Sequence, residues 1–264
     1  MLYIDQLGRK IELDKTPERI VSLVPSQTEL FYYFGIKPVG QTIFCIHPES
    51  EFKSSYKVGG TKKLQLDKIR ALQPDLIIGN KEENTKEQIE ALSDEFPVWM
   101  SEINSVDDAL DFITRMGSVL GKSQECINLK LKIQSNFNRL ITPSDKLSYV
   151  YLIWKDPYFA VASGTYINSV LDRGGFLNAL ANKTRYPEIT IDQIKEIQPD
   201  CVMLPSEPFP FKQEHIKALQ KELPQSYVLP VDGEILSWYG SKMLEAPEYL
   251  IKINSNIRKH ANRS

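Results

Sequence analysis

The stretch Phe44-Cys45-Ile46-His47-Pro48 sets a thiol and an imidazole two residues apart on a segment that follows a short strand pattern. An imidazole is largely neutral at physiological pH and can ligate cobalt or iron, which makes His47 the candidate axial metal ligand. Hydrogen bonding by the same ring is the other reading. A Cys-x-His pair without further ligands falls short of a closed metal site, so Cys45 is the weaker of the two. Aromatic residues gather on other loops: Trp154 and Tyr158 after a strand, Tyr186 before a helix, and Trp238 with Tyr239 in Ser-Trp-Tyr-Gly-Ser-Lys. Flat side chains stack on a flat ligand while losing few torsional freedoms. Core packing explains Trp154 and Tyr158 nearly as well. Ser26, Gln27, Phe44, Thr61, Lys62, Asn80 and Glu207 occupy further positions at strand or helix ends. They could contact a ligand's amides or carboxylates, or serve as caps and solvated side chains.

Other chemistries lack their motifs. No Gly-x-Ser-x-Gly elbow occurs, since Val161-Ala162-Ser163-Gly164-Thr165 is missing the first glycine. Gly59-Gly60-Thr61-Lys62-Lys63 does not have the spacing that wraps phosphates. His215, in a helix pattern, and His260, near the terminus, are expected to be solvated.

The elements that must position these residues repeat. Leu66 to Gly79 reads LDKIRALQPDLIIG and Ile191 to Leu204 reads IDQIKEIQPDCVML; Asp67 and Pro74 lie 125 residues before Asp192 and Pro199. Proline disfavours helical geometry in the residue before it, which predicts helix ends near Gln73 and Gln198 and buried strands just beyond. KEQIEAL at Lys86 and QEHIKAL at Gln213 continue the parallel, followed by strand candidates FPVWM and YVLPV. A first strand precedes each copy, RIVSLV from Arg19 and LSYVYLIW from Leu147, each followed by a helix pattern. Ser26 with Glu29 suggests a capping box at the start of the first of these, and Gly35 a stop. The pattern predicts an α/β fold of two lobes with mostly parallel sheets. From Val106 to Ile141 no strand signal occurs, and Ile127, Leu131, Phe137, Leu140 and Ile141 fall at helical spacings. One long helix is therefore expected to join the lobes, giving residues 1–120 as the first lobe, 121–143 as the bridging helix ending at Thr142-Pro143-Ser144, and 144–264 as the second lobe. Two such lobes would line a ligand cleft with the loops at their strands' carboxyl ends.

Composition narrows the partners. The chain has 264 residues, 42% of them hydrophobic, and a formal net charge of −2 without long like-charged blocks. That charge gives no electrostatic case for nucleic acid or an anionic membrane. Three widely spaced cysteines define no disulfide framework. The amino terminus alternates apolar and charged residues instead of carrying an export signal's apolar run, so a cytoplasmic protein and a processed exported one are both open. No run approaches the ~18 apolar residues of a membrane span.

RIVSLVPSQTELFYYFGI, VGGTKKLQLDKIRALQPDLIIG, ASGTYINSVLDRGGF and YPEITIDQIKEIQPDCVMLP, in that order, resemble the substrate-binding proteins of ABC importers for cobalamin, haem and ferric siderophores. This is the helical-backbone (class III) group, in which one long helix joins two α/β lobes. The resemblance covers roughly Glu18 to Ile251. It implies a non-enzymatic, monomeric protein of the periplasm or cell envelope with no cofactor of its own, which delivers a metal chelate to a permease. A two-lobed tetrapyrrole chelatase using His47 and Glu207 is the enzymatic alternative. A cytoplasmic corrinoid or metal-chelate carrier without a permease is the third reading.

The resemblance also assigns residues. Cobalamin-binding members carry a glutamate in each lobe where Asp67 and Asp192 stand, and those acids pair with permease arginines. A carboxylate in a helix's first turn is also favoured by the helix dipole by roughly 0.3–1 kcal/mol, which is a sufficient structural reason for both. Thr190 and Gln193 have capping-box spacing ahead of the second helix. His47 falls where those members have a pocket tyrosine, and Thr61 and Asn80 where they have tryptophan, while Tyr186 keeps their aromatic. The basic loop residues are chiefly Lys62, Lys81 and Lys242, without the arginine and tyrosine clusters of siderophore binders. That tilts the expectation toward a corrinoid-like ligand.

Overall fold

A computed structural model describes residues 1–141 and 143–261. It divides into two compact units. The first holds Met1–Ile103, Asp107–Lys132 and Trp238–Lys242; the second holds Asn104–Val106, Ile133–Ser237 and the chain from Met243.

In the first unit, β1 (Leu2–Ile4) and β2 (Lys10–Glu12) form an antiparallel hairpin. There follow β3 (Ile20–Ser22), α1 (Pro25–Tyr33), β4 (Gly40–Gln41), α2 (Glu49–Phe52), the antiparallel pair β5 (Gly59–Gly60) and β6 (Lys63–Leu64), and α3 (Leu66–Ala71). The chain continues through β7 (Leu76–Asn80), α4 (Lys86–Ser93), β8 (Val98–Ser101) and α5 (Val106–Val119) into α6 (Ser123–Asn138). Strands β4, β3, β7 and β8 lie side by side in that order, all parallel. Every residue of β3, β7 and β8 is buried, which is why these strands read as continuous apolar runs without alternation. Val21, Ile69, Ile77, Ile89, Leu92 and Met100 pack together as the core.

The second unit contains β9 (Leu147–Trp154), β10 (Phe159–Ala160), α7 (Tyr166–Arg173), β11 (Phe176–Asn178), α8 (Ile191–Ile197), β12 (Cys201–Pro205), α9 (Gln213–Glu222) and β13 (Tyr227–Val231). Helix α10 (Gly233–Ser237), a 3-10 turn at Ser241–Leu244 and α11 (Ala246–Ala261) follow. The sheet order is β10-β9-β12-β13, with β11 also on β9; only β10 runs antiparallel. The expected α/β fold with mostly parallel sheets is borne out.

The repeated phrase does the same work in both units. Gln73 and Gln198 take left-handed backbone angles, φ 43° and 49°, ending α3 and α8. The aspartate after the proline then clamps the chain at the start of β3 in the first unit and of β9 in the second. Asp75 accepts the backbone N–H groups of Glu18 and Arg19, both at 2.8 Å. Asp200 accepts the backbone N–H and the hydroxyl of Ser148, both at 2.7 Å.

Two local expectations change, the first cap and the buried face of α6. Helix α1 starts at Pro25, after Val24, and no side chain caps it, so the Ser26–Glu29 box does not form. Proline at the first helical position presets φ and has no N–H to satisfy, moving the start two residues upstream of the one expected with Ser26 as cap. Thr190 and Gln193 do form their box. Helix α6 occupies Ser123–Asn138, within the span 121–143 expected for the bridge, and α5 precedes it as a separate helix; Thr142 of the expected stop lies outside the described residues. The buried stripe of α6 is Cys126, Leu129, Ile133 and Phe137, with Ile127 and Leu131 exposed. The 3-4-4 spacing of that stripe follows the helical repeat once Cys126 is counted as apolar.

Candidate functional site

In parallel α/β sheets the loops at the strands' carboxyl ends carry the ligand chemistry. In the first unit these ends are Gln41, Ser22, Asn80 and Ser101, and Asn80 sits opposite Ser101 in register. Gln27, fully buried in the first turn of α1, reaches over them. Its Nε2 lies 2.7 Å from Ser101 Oγ, 2.8 Å from the Tyr239 hydroxyl and 3.4 Å from the Gly79 carbonyl. Asn80 Nδ2 points to the same two oxygens, 3.1 Å from Ser101 Oγ and 3.2 Å from Tyr239. Gln27 Oε1 is buried without a hydrogen-bond partner. Ser26 is buried beside Gln27 in the same turn.

Tyr239 is therefore an anchor of the polar floor and not an exposed stacking ring. It is buried, with Phe112 edge-on at 5.7 Å. Burial, and secondarily the charge of Glu83, push its phenol far above the ordinary tyrosine range, against the effect of its hydrogen bonds. It stays a neutral hydroxyl. Next to it, buried Trp238 meets half-buried His47 edge-on, with ring centroids 5.5 Å apart. The loop carrying His47 also exposes Ile43, Phe44 and Ile46.

Cys45 turns the other way. It is fully buried, with its sulfur 3.0 Å from Thr28 Oγ1 and 3.1 Å from Thr42 Oγ1. Burial raises its pKa, so the thiolate that would bind metal is disfavoured. Among the described residues no group of three or more His, Cys, Asp or Glu could hold a metal ion.

Thr61 is half-buried and its carbonyl accepts from Asn84 at 3.1 Å. Lys62 and Lys81 are exposed; Lys62 donates to the Glu82 carbonyl at 2.5 Å and Lys81 pairs with Glu102 at 2.7 Å.

The second unit carries its own set of residues at the ends of β9 and β12. Trp154 closes β9, is exposed, and meets Phe209 edge-on at 5.6 Å. Phe209 also touches Phe211 at 4.7 Å and His215 at 5.5 Å. His215 is not simply solvated as expected: its Nδ1 accepts the Lys212 N–H at 2.8 Å at the start of α9. His260 also departs from expectation, stacking on Tyr227 at 4.1 Å. Tyr158 packs against the hydrophobic core, Tyr186 lies 5.5 Å under the Arg185 guanidinium, and half-buried Glu207 accepts from Ser237 Oγ at 3.3 Å.

Asp67 and Asp192 occupy the first turns of α3 and α8 with side chains 99% and 88% exposed. Each has a cation three residues on that also reaches a second acid. Arg70 lies 3.0 Å from Asp67 and 2.7 Å from Glu95, and Lys195 lies 3.6 Å from Asp192 and 2.9 Å from Glu222. Ser101, Ile43, Ile46, Phe209 and these second acids escaped the sequence reading. The strand register opposite Asn80 was the available signal for Ser101.

Residues 20–226 match the family profile described as periplasmic binding protein. The chain belongs to that family. It is 23% identical over 267 residues to the uncharacterized ABC transporter substrate-binding lipoprotein YvrC of Bacillus subtilis, covering 93% of this chain and 82% of that one. Its fold matches the periplasmic vitamin B12 binding protein BtuF of Vibrio cholerae with a TM-score of 0.78 at 22% identity, over 92% of this chain and 99% of the other. The periplasmic heme-binding protein RhuT from Roseiflexus sp. RS-1 matches with a TM-score of 0.76 at 18% identity, over 91% and 97%. The family resemblance read in the sequence holds, and these similar proteins are named as binding proteins. No helix among the described residues is long and apolar enough to cross a membrane.

Proposed function

We propose that this periplasmic binding protein captures a metal chelate of the corrinoid, haem or ferric-siderophore class on the carboxyl-end loops of its units and delivers it to an ABC importer. The observation that carries the reading is the construction of the first unit's strand ends. A buried amide and hydroxyl floor of Gln27, Asn80, Ser101 and Tyr239 lies next to the His47–Trp238 pair and the exposed Ile43, Phe44 and Ile46. Such a surface suits a flat ligand with an apolar face and polar substituents.

His47 is the proposed axial ligand to the metal of the bound chelate, and Trp154, Tyr158, Tyr186 and Glu207 the second unit's contribution. Phe44, Thr61 and Lys62 complete the first unit's set. Asp67 and Asp192 are the proposed permease contacts, since both carboxylates stand in solvent. The names of the similar proteins, an ABC transporter lipoprotein, a vitamin B12 binder and a heme binder, support an envelope location and a chelate cargo.

A thermal-denaturation screen with corrinoids, haem and ferric siderophores tests the reading. A ligand at 100 times its Kd stabilises the folded state by about 2.7 kcal/mol. One chemical class should raise the melting temperature with the ligand recovered unchanged; no shift with any of them, or turnover of the ligand, contradicts the proposal.

A further inference from the structure

The loop that follows β4 is held from behind by a chain of hydrogen bonds that none of the ligand contacts described above uses. Gln41 closes β4 at a carboxyl end of the sheet, opposite Ser22 in register, and is fully buried. Its backbone is paired, donating to the Tyr56 carbonyl at 2.9 Å and accepting from the Val58 N–H at 3.0 Å. That leaves the side-chain amide for other partners, and it has one at each end. Tyr32 of α1 donates its hydroxyl to Oε1 at 2.7 Å, and Nε2 donates to the Cys45 carbonyl at 2.6 Å. A carbonyl can only accept, so the end of the amide that faces Cys45 is the nitrogen, and its orientation is fixed.

Cys45 is gripped a second time through its side chain. The sulfur lies 3.0 Å from Thr28 Oγ1 on α1 and 3.1 Å from Thr42 Oγ1 on the loop itself. Its neighbours face outward: Ile43, Phe44 and Ile46 are exposed and His47 is half-buried, whereas Cys45 is fully buried. Short backbone bonds close the turn around it, from the Cys45 N–H to the Thr42 carbonyl at 3.2 Å and from the Ile46 N–H to the Phe44 carbonyl at 2.9 Å. His47 is two residues beyond the anchored carbonyl, so a displacement of Cys45 passes to the imidazole through a short, tightly turned piece of chain. A buried thiol behaves as a small hydrophobe with weak hydrogen bonds, which suits an anchor and not a reactive group.

From this geometry we propose that Gln41 and Cys45 are positioning residues for chelate capture: they hold the ligand-facing loop so that His47 stands at a fixed place against Trp238. The proposal rests on the reading of His47 as axial ligand to the chelate's metal. An imidazole that must meet a metal at one distance and one angle needs support from the groups behind it. Core packing accounts for a small buried residue at position 45. It does not account for a buried glutamine whose amide nitrogen is directed at that residue's carbonyl.

Proton NMR of the rings of the three histidines in the full chain tests the positioning without any ligand. An aromatic ring displaces the resonances of protons close to it, and His47 sits against Trp238 with centroids 5.5 Å apart. His47→Ala identifies the signal, and Trp238→Leu measures the displacement. Gln41→Met and Cys45→Val stay close to the native volumes and remove the side-chain hydrogen bonds. Each should abolish most of the displacement while His215 and His260 keep their shifts. Cys45→Ser, which can still bond Thr28 and Thr42, should retain it. Circular dichroism checks folding, and Cys45→Val decides alone if Gln41→Met does not fold. In titrations with cobinamide, haem and a ferric siderophore, the two disrupting variants should bind the chelate that the wild type binds roughly two- to tenfold more weakly. They should also lose the His47-dependent shift of its absorption bands, which Cys45→Ser keeps. His47 signals that stay in place in folded Gln41→Met and Cys45→Val would overturn the proposal. So would equal movement of all three histidines, which would mark a role in stability alone. Moved His47 signals without a His47-dependent band shift for any chelate would instead overturn the axial-ligand reading and leave the loop anchor standing.

Discussion

The Tyr239 hydroxyl lies 2.8 Å from Gln27 Nε2, a hydrogen bond that joins residues 212 positions apart in the chain. Its neighbour Trp238 touches His47 through the same return of the chain to the first unit. Tyr239→Phe keeps the ring against Phe112 and removes the oxygen that receives the Gln27 and Asn80 amides. Leaving buried donors without that acceptor costs about 1–3 kcal/mol. Chemical denaturation should show a loss of that size, with weaker chelate binding because Trp238 is less firmly placed. Unchanged stability would mean the hydroxyl is replaceable by water.

Gly117 gives a second test, in packing. A Cβ built there would come 2.8 Å from Cys126 Cβ and 3.1 Å from Ser123 Cα, so α5 and α6 cross at the glycine. Gly117→Ala should destabilise by about 1–3 kcal/mol as the helices part, despite alanine's higher helix propensity. A gain in stability would contradict the close crossing.

Alkaline pH should weaken the fold. Burial, then the charge of Glu125, pushes the Cys126 thiol from an ordinary 9.0 up to about 12. Burial, then Glu51, pushes Tyr32 from 10.0 up to about 12. Both groups keep their protons in the folded chain over a range where the unfolded chain has lost them. Their contribution is thus fully present below about pH 9 and is lost as pH rises toward about 12. Melting temperature followed from pH 8 to 11 should fall, less steeply for Cys126→Ala from pH 9 and for Tyr32→Phe from pH 10. Parallel slopes in all three proteins would refute the assignment.

The proposed permease contacts make a separable prediction. Asp67→Lys with Asp192→Lys should abolish binding to a cognate permease in a pull-down and leave chelate affinity within twofold. Both side chains are solvated, so stability should change by less than about 1 kcal/mol. Loss of chelate binding would show that the acids belong to the ligand site.

Much of this organisation was legible because the repeat couples local rules to a fold. Gln-Pro-Asp ends a helix by backbone sterics wherever it stands, and the apolar run after it declares a buried strand. The long-range partners were not legible: nothing around Asp75 or Asp200 announces that each clamps a strand more than fifty residues upstream. Tyr239 shows the same limit at the site. Its setting beside glycine suggested an exposed ring, but the tertiary contact with Gln27 and Asn80 decides its burial. Cys45 and His47, two residues apart, face opposite environments because the loop turns between them, which spacing does not reveal. In α6 a cysteine stood in for an aliphatic residue and shifted the apparent face of the helix.

The most direct test of the central claim is equilibrium titration of the purified chain with cobinamide, haem and a ferric siderophore, followed through the emission of its three tryptophans. The account predicts that one of these chelates quenches emission saturably at one equivalent, with the metal's absorption bands shifting in the wild type but not in His47→Ala. Titrations that remain linear and unsaturated for all three would contradict it.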